Sequence, residues 1–480
     1  METFITSANR GSVSTGYDIT HSVKLEDNND EWLYRTNAIG TNRKTWTMSC
    51  WFKMSNSPSL HLGHAIELWQ GGVYGEATRV GVFGDDRIWV DIGGGLDNTG
   101  TLYRSLSAMK LRDLSAWYHL VVASDSTQGT EANRLKVYLN GEEVTEWDQR
   151  QYPAQNFQSA LQGGSGGSSV DMKWGSYNAT YHGVSGYLAE CNYIDGIMAD
   201  QDDFGEFDED TGIWKPKQYT GSYGTNGSYL DFSDSSDMGA NAKGNDTNFS
   251  LNNIAAADQS TDTPTNNFAI INGQWDVSSY TTYSEGGTKA VIAAGWQVAV
   301  STIAPSSGKW YFEHQRSSGN SFIGIVDVED QYIPRNTQGY FLGYNDNAAT
   351  NSLGMYSVNG QVYNSPGGTP DGVSFTTSNI IGVAVDLDNR RLYFASDNTW
   401  AGSMDPAAGS GGVTIPSDWP GQHVYFGMSG SSSTLLINFG GFTNISTNGK
   451  SDANGYGTFK YDPPSGYYSL CTKNLAEFGG

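Results

Sequence analysis

The chain is 480 residues long, which favours two domains over one. Aromatic residues make up 13% and there are 60 glycines, but only 16% of the residues are charged. This composition is typical of short strands joined by Gly-rich turns and not of a helical protein. The formal net charge of -24 repels phosphate backbones, so we expect no nucleic-acid partner.

Cysteine usage and the N-terminal segment bear on the cellular compartment. Cys50, Cys191 and Cys471 are too few for a disulfide framework, so we expect buried, reduced thiols. Residues 1–11 have neither a basic start nor an apolar run, which predicts no signal peptide. Residues 290–304 are too short and too polar to span a bilayer, so we expect no membrane insertion. The sequence predicts folding in a reducing cytoplasm.

The first segment, residues 1–232, carries repeated strand signals. The clearest is a hairpin whose first strand, residues 135–139, alternates apolar residues with Lys136 and Tyr138. Asn140-Gly141 follows and supplies the two positive φ values of a type I′ turn. Further along, the acidic residues 200–210 predict a loop or one short helix.

The rest of the chain contains a polar stretch, a second group of strands and a tail. Residues 233–264 are rich in Ser, Asn, Asp and Ala without periodicity, which predicts a linker. Strand signals resume over residues 265–445, with turn signals about every ten residues, as in a sandwich. Residues 446–480 are expected to pack on that second domain. The predicted fold is all-β, with two β-sandwiches of the jelly-roll type in tandem.

Two resemblances to known families support this division. Residues 46–52 (WTMSCWF), 117–122 (WYHLVV), 136–141 (KVYLNG) and 186–196 (GYLAECNYIDG) resemble strands of the laminin G-like or concanavalin A-like jelly roll. Residues 308–313 (GKWYFE), 381–388 (IGVAVDLD), 392–394 (LYF) and 438–440 (NFG) resemble strands of a SPRY domain. The first resemblance covers about residues 20–232, and the second covers residues 265–445.

The order of the two domains and several short motifs resemble tailed-bacteriophage structural proteins, in which a jelly roll precedes a SPRY-like domain. The motifs are residues 204–206 (FGE), 211–217 (TGIWKPK), 221–227 (GSYGTNG), 231–234 (DFSD), 263–268 (TPTNNF) and 461–467 (YDPPSGY). This resemblance implies a component of the phage particle.

No pattern of catalytic residues accompanies these folds. Retaining glycosidases need two carboxylates about 5 Å apart, which the related glucanases place on one strand. The nearest pattern, residues 206–211 (EFDEDT), lacks the second Glu. The G-x-S-x-G match at residues 163–167 lies in Gly/Ser-rich sequence without the strand and helix of a nucleophile elbow. His61 and His64 have no third His or Cys nearby, so we expect no zinc site. We predict that the chain is not an enzyme.

Calcium is the one cofactor that the sequence leaves open. Laminin G-like domains often hold calcium at a rim, and the candidates here are Asp27 and Asp30 in one turn and Asp85 and Asp86 in another. Neither turn has the ligand spacing of an EF-hand, and exposed acidic turns explain both without a metal ion. We expect no organic or redox cofactor, because no dinucleotide, haem or pyridoxal motif is present.

Aromatic residues near Gly-, Asn- and Asp-rich turns are candidate ligand contacts, because sugar rings stack on Trp and Tyr while Asn and Asp bind the hydroxyls. Each ring has the alternative of filling a core. In the first segment the candidates are Trp69, Tyr74 and Trp89. In the second, the SPRY resemblance implies ligand loops at one end of the sandwich, at residues 327–344 and 396–404. Their candidate residues are Tyr332, Arg335, Tyr340, Asp397, Asn398 and Trp400.

Together these features imply a non-enzymatic virion structural protein. One interpretation is a tail appendage or fibre-tip adsorption protein that binds a host-surface glycan. The alternative is a capsid decoration or head-fibre protein that contacts other virion proteins, and a glycan hydrolase is a distant third. Phage appendages usually have threefold symmetry, so we expect a homotrimer on the particle, assembled in the host cytoplasm.

Overall fold

The computed structural model describes residues 16–37, 42–59, 65–72, 77–93, 101–161, 170–175, 183–244, 247–275, 280–330, 341–343, 350–364 and 367–479. Two compact units are present. Ser14–Thr265 is called the first sandwich below, and the unit that contains Asn266–Gly480 is called the second sandwich. Strands dominate both units, which confirms the predicted all-β fold.

The strands of the first sandwich are β1 (Ser22–Leu25), β2 (Trp32–Asn37), β3 (Thr45–Met54), β4 (Ile66–Gly71), β5 (Thr78–Val82), β6 (Arg87–Gly93), β7 (Leu102–Lys110), β8 (Tyr118–Asp125), β9 (Leu135–Leu139), β10 (Glu142–Glu143), β11 (Trp147–Gln149), β12 (Val170–Trp174), β13 (Gly186–Asp195), β14 (Gly205–Phe207), β15 (Trp214–Pro216), β16 (Ser228–Leu230), β17 (Ser250–Asn252) and β18 (Gln259–Ser260). Short 3-10 helices span Asp27–Asn29, Glu131–Asn133, Gln201–Asp203 and Ala256–Asp258.

Among the described residues these strands form two main sheets. The front sheet has the order β11-β7-β6-β5-β4-β12-β2-β17, and the back sheet has the order β10-β9-β8-β3-β13-β1-β18, with β16 added beside β13. Alternating side chains of both sheets share one apolar core. At its centre the Trp69 ring lies 5.6 Å from that of Trp46 and 5.5 Å from that of Tyr193. Burial of such large rings supplies much of the stability of a sandwich.

Local sequence determines the β9–β10 hairpin. Asn140 and Gly141 have φ angles of 49° and 84°, which confirms the predicted positive values.

The acidic stretch, residues 200–210, differs from the prediction of a loop or one short helix. After a 3-10 turn at Gln201–Asp203, residues of β14 pair with β15, where Asp208 accepts hydrogen bonds from the Thr211 backbone N–H and hydroxyl and so closes the turn.

Residues 233–264 are part of the first sandwich, so the prediction of a linker was wrong. β17 pairs with β2 in the front sheet, and β18 pairs with β1 in the back sheet. Met238, Phe249 and Ile254 enter the core. A strand that joins an existing sheet edge gains backbone hydrogen bonds and needs few apolar side chains. Such a strand can therefore have a polar composition that gives no strand signal in the sequence.

The strands of the second sandwich are β19 (Thr281–Ser284), β20 (Lys289–Val300), β21 (Lys309–Asp327), β22 (Ser352–Tyr356), β23 (Val362–Asn364), β24 (Gly367–Thr369), β25 (Ile381–Asp386), β26 (Arg391–Ser396), β27 (Thr399–Trp400), β28 (Val413–Thr414), β29 (Val424–Asn438) and β30 (Tyr468–Ser469). The described part also contains an α-helix, α1 (Thr472–Phe478).

The long strand β21 connects the two layers of the second sandwich. It pairs with β25 over Lys309–His314 and with β22 over Phe322–Val326, and its register with β29 shifts twice in between. Such bulges bend a strand and let it pass from one layer to the other. One layer has the strand order β19-β20-β29-β21-β22-β23-β24. β25 pairs with β21 and β26 pairs with β25, and these two strands belong to the other layer.

The C-terminal residues 446–479 complete the second sandwich. Phe459, Tyr467 and Leu470 lie in its core, and β30 pairs in parallel with β21. The buried carboxylate of Glu313 accepts hydrogen bonds from the backbone N–H groups of Lys460 and Tyr461.

All three cysteine thiols are free and buried, as predicted. In the described part of the chain, no helix has the length and apolar character needed to cross a membrane.

Candidate functional site

A β-bulge in β4 turns one acidic side chain to the outer face of the front sheet. Ile66, Leu68 and Trp69 all enter the core. The register with β5 shifts between Glu67 and Trp69, so Leu68 is the extra residue. Glu67 therefore lies on the outer face and Trp69 on the inner one, although strict alternation would place both on the same face.

Strand register brings a set of polar and aromatic residues beside Glu67. Glu67 is opposite Gly81, which is opposite Trp89. A second set of facing residues crosses the same sheet from β12 to β7. In this set Gln70 is opposite both Lys173 and Arg79, Arg79 is opposite Asp91, and Asp91 is opposite Arg104. We call these residues the Glu67 face: Glu67, Gln70, Arg79, Trp89, Asp91, Arg104 and Lys173.

Glycine is required opposite the bulge. A Cβ atom on Gly81 would lie 2.0 Å from the carbonyl oxygen of Ile66, which no side chain tolerates. Between the side chains of Glu67 and Trp89, the outer face of the front sheet therefore presents only the backbone of Gly81.

The Glu67 carboxyl group is buried without a hydrogen-bond partner. The residue is 0% exposed, and within the described part of the chain neither Oε1 nor Oε2 has a donor or acceptor. Burial raises the pKa of Glu67 to about 8, against the opposing effect of the nearby Arg79 and Lys173 charges. The group is thus a neutral acid at pH 7 and can both donate and accept a hydrogen bond.

Gln70 has a second unused polar atom on this face. Its Nε2 donates to the Gly72 carbonyl oxygen at 2.9 Å, but its buried Oε1 accepts no hydrogen bond from the described residues. Glu67 and Gln70 thus present neighbouring buried oxygens that have hydrogen-bonding capacity left for a ligand.

Cations surround these groups and are more accessible than the acids. Asp91 is buried and accepts two hydrogen bonds from Arg104, at 2.8 and 2.7 Å, and this pairing raises the pKa of Arg104. The guanidinium groups of Arg79 and Arg104 lie 5.9 and 5.8 Å from the ring centroid of Trp89. Arg79, Arg104 and Lys173 are partly exposed, so a ligand meets these cations first.

The predicted ligand residues of the first segment are not brought together. Trp69 is 0% exposed and stacks in the core, so its prediction as a ligand contact was wrong: a fully enclosed ring offers no face to a sugar. Tyr74 lies outside the described residues. Trp89 does lie on the Glu67 face, although it is only 2% exposed.

Three of the predicted SPRY-loop residues directly follow β26: Asp397 and Asn398 lie in a tight turn, and Trp400 lies in β27. Asp397 and Asn398 have φ angles of 47° and 65°, and Asp397 accepts hydrogen bonds from the Ile380 N–H and the Asn379 amide. Trp400 is partly buried against the core. Tyr332, Arg335 and Tyr340 lie outside the described residues.

The two implied ligand loops do not begin at the same end of the second sandwich. Asp327, where the first loop begins, shares a pocket with Arg390, which directly precedes β26. Asp397 follows the other end of the same strand. The bend of β21 brings its Asp327 end to the Arg390 side, so Asp327 and Asp397 lie towards opposite ends of β26.

Three of the four calcium candidates, Asp27, Asp85 and Asp86, use their carboxylates within the protein. Asp86 accepts hydrogen bonds from the hydroxyls of Ser57 and Ser59, and Asp85 pairs with Arg87 at 2.8 Å. Asp27 accepts from the Gly183 N–H, and Asp30 occupies a left-handed turn. Among the described residues, no group of three or more His, Cys, Asp or Glu side chains is placed to hold a metal ion.

Sequence reasoning did not identify Glu67 as a site residue. The available signal was a single acidic residue in the strand IELWQG, which is otherwise apolar or uncharged. Without knowledge of the bulge, Trp69 appeared to be the exposed residue of that strand.

A comparison with protein-family models agrees with the all-β fold of the first sandwich. Residues 22–185 match the family model described as the concanavalin A-like lectin/glucanases superfamily. The first sandwich is a laminin G-like jelly roll. No curated protein sequence matches the chain.

Among solved structures, the chain is similar to domains LG4-5 of the mouse laminin alpha1 chain, at 9% identity and a TM-score of 0.29, over 87% of this chain and 85% of that one. It is also similar to the SPRY domain of human HERC1, at 13% identity and a TM-score of 0.24, over 32% of this chain and 89% of that one. A third is a SAP-like pentraxin from Limulus polyphemus, at 13% identity and a TM-score of 0.27, over 38% and 80%.

Proposed function

We propose that this protein is a non-enzymatic binding protein of a tailed-bacteriophage particle, and that its first sandwich binds a host-surface glycan through the Glu67 face. The observation that carries the glycan proposal is the buried, unpartnered carboxyl group of Glu67. Leaving such a group unsatisfied costs about 1–3 kcal/mol, a cost that a bound hydroxyl removes.

The chemistry of the face suits a polyhydroxylated ligand. Neutral Glu67 can donate to one hydroxyl and accept from another, and Gln70 Oε1 can accept from a third. The partly exposed Arg79 and Lys173 add donors. Because Glu67 is enclosed, the ligand enters from the cation side and binding requires the face to open.

The particle setting rests on the domain order and on motifs such as residues 211–217 and 461–467, which resemble tailed-phage structural proteins. We place the protein at the tip of a tail appendage, as a homotrimer that contacts other virion proteins and needs no cofactor. Labelling the protein on intact particles for electron microscopy tests this location. Label on the capsid surface would favour a decoration protein, and sedimentation of a monomer at micromolar concentration would contradict the trimer.

A glycoside hydrolase is the second candidate, because Glu67 has the raised pKa of a general acid. The missing part is a second carboxylate. Asp91 is engaged by Arg104 and lies two strands away. Because Arg104 holds the Asp91 carboxylate in an ion pair, this carboxylate is not free to act as a nucleophile or base, and the arrangement favours binding without hydrolysis.

Binding assays on host surface polysaccharide test the site. We expect Glu67→Leu, which removes both hydrogen-bonding oxygens but keeps an apolar volume, to weaken binding at least tenfold. Glu67→Gln keeps a donor and an acceptor and should bind within a few-fold of the original chain. The exposed Glu142→Gln is the matched control.

Unchanged binding in Glu67→Leu would overturn the site. Release of reducing sugar from the polysaccharide by the unmodified chain, with loss of that release in Glu67→Gln, would instead establish the hydrolase.

A further inference from the structure

A buried lysine lies between two carboxylates on the back sheet of the first sandwich. Val23 and Leu25 of β1 enter the apolar core, so Lys24 between them lies on the outer face of the sheet. Lys24 is nevertheless only 1% exposed. Its ammonium nitrogen lies 2.8 Å from Oδ1 of Asp258 and 3.0 Å from Oε2 of Glu31. We call these three residues the Lys24 triad.

The surroundings of the triad are dry. Glu31 and Asp258 are both buried, and so is Tyr187, which is opposite Lys24 in β13. Taking charged groups out of water is costly, and replacing buried ion pairs by apolar residues is often neutral or stabilising. A buried ion cluster is therefore weak evidence of a stabilising role, and a chemical role explains the triad better.

The two carboxylates are arranged differently around the amine. Both oxygens of Glu31 face the Lys24 nitrogen, at 3.2 and 3.0 Å. Asp258 has Oδ1 beside that nitrogen, while its Oδ2 accepts a hydrogen bond from the Ala255 backbone N–H at 2.8 Å. A backbone donor at Oδ2 stabilises the negative charge that develops there when a nucleophile attacks the carboxyl carbon. Asp258 is thus suited to be attacked, and Glu31 is suited to carry protons.

Proton transfer inside the triad produces the nucleophile. Burial raises the pKa of Glu31, against the opposing effect of the Lys24 charge. A buried carboxylate of this kind is a better base towards the neighbouring ammonium than an exposed one. Once neutral, the lysine amine is a nucleophile. Because it is held against the Asp258 carboxyl group, its attack has the high effective concentration of an intramolecular reaction.

We propose that Lys24 and Asp258 form an intramolecular isopeptide bond, with Glu31 as the proton carrier. Glu31 takes a proton from the ammonium group, and the amine attacks Cγ of Asp258. The bond between Nζ and Cγ forms, the bond between Cγ and Oδ1 breaks, and Oδ2 becomes the amide oxygen. Oδ1 leaves as water. Both of its protons come from the Lys24 nitrogen through Glu31, which ends in its original state, and the amide nitrogen keeps one hydrogen.

The bond joins the two ends of the first sandwich. In the described part of this unit β1 is the first strand and β18 the last, and they pair antiparallel, with Val23 opposite Gln259. Asp258 directly precedes β18. A link from Lys24 to Asp258 closes the intervening chain into a covalent ring. A pull on the two ends of the sandwich then loads this bond and not the hydrogen bonds of the sheets. The bond is independent of ligand binding at the Glu67 face.

The test is the intact mass of the full chain, folded at neutral pH and measured under denaturing conditions. We expect a mass lower than that of the sequence by one water molecule, and one branched peptide that joins Lys24 to Asp258 in a peptide map. Lys24→Arg should restore the full mass. Glu31→Gln, which keeps polar atoms but cannot carry the proton, should restore it as well. Lys136→Arg alters an exposed lysine that pairs with Glu143 and should keep the lower mass.

A full sequence mass in the unmodified chain after prolonged incubation would overturn the proposal, and this measurement needs no variant. A branched peptide that joins Lys24 to Glu31, or Lys53 to Asp262, in place of the expected one would also overturn it. Persistence of the lower mass in Glu31→Gln would overturn the assignment of Glu31 as the proton carrier.

Discussion

In the first sandwich, the Lys53 ammonium nitrogen lies 2.7 Å from Oδ2 of Asp262, and both side chains are at most 1% exposed. Trp117 Nε1 donates to the other carboxylate oxygen at 2.9 Å. Burial lowers the pKa of Lys53, while the charge of Asp262 acts in the opposite direction. This buried pair fixes the end of residues 233–264 to the back sheet.

Replacing Asp262 by alanine should destabilise the first sandwich strongly. The change removes the carboxylate that the buried Lys53 charge and the Trp117 donor share, and breaking a buried pair in this way costs about 3–5 kcal/mol. Urea unfolding of the chain measures the loss. Asp462→Ala breaks the exposed pair with Lys450 and should cost less than about 1 kcal/mol. Similar losses in the two variants would contradict the role of the buried pair.

Glu67→Gln should change how stability depends on pH. The pKa of Glu67 is about 8 in the folded chain and 4.5 as its ordinary value, so between these values the unfolded chain loses this proton while the folded chain keeps it. Stability therefore falls as pH rises through this window, by at most about 3 kcal/mol at pH 7.

The glutamine variant removes that loss, so it should be more stable than the original chain near pH 7 and equal to it near pH 4, where both states are protonated. Thermal unfolding across this range checks the expectation, with Glu142→Gln as control. A pH-independent difference would mean that the Glu67 proton is not involved.

Glu313→Ala should release the C-terminal tail from the second sandwich. The buried carboxylate accepts from the N–H groups of Lys460 and Tyr461 and from the Asn438 amide, all at 2.9–3.1 Å. Unsatisfied buried donors cost about 1–3 kcal/mol each, so we expect a loss of at least about 3 kcal/mol. Hydrogen exchange at residues 459–461 should rise. The exposed Glu477→Ala is the control, and unchanged exchange in Glu313→Ala would show that other contacts hold the tail.

Trp400→Ala tests whether this residue is a ligand contact or part of the core. The ring packs against the core of the second sandwich, and its backbone pairs with Ala395 in β26. We expect a fall of several degrees in the melting temperature, with no change in attachment to cells. Reduced attachment at an unchanged melting temperature would return Trp400 to the binding surface.

Removal of calcium should leave the protein unchanged. Asp86 and Asp85 are engaged by Ser57, Ser59 and Arg87, so a calcium ion would have to displace these partners. Scanning calorimetry with a chelator, and then with added calcium, should give the same melting temperature. A rise on adding calcium would indicate a site, because a ligand that binds only the folded state stabilises it.

Short-range signals in the sequence determined much of the fold. The alternation in β9 and the Asn140-Gly141 turn fix a hairpin from local backbone preferences alone, and the aromatic, Gly-rich composition fixes the all-β class. The resemblance of residues 46–52 and 117–122 located adjacent strands of the back sheet, because these segments pair with each other.

Only the tertiary structure decided where the polar segment 233–264 lies and which residues form the candidate site. Lys53 and Asp262 are far apart in sequence, and their pairing depends on two sheet edges that no local pattern specifies. The bulge at Leu68 reverses the faces of Glu67 and Trp69, since one extra residue in a strand exchanges the inside and the outside of everything that follows.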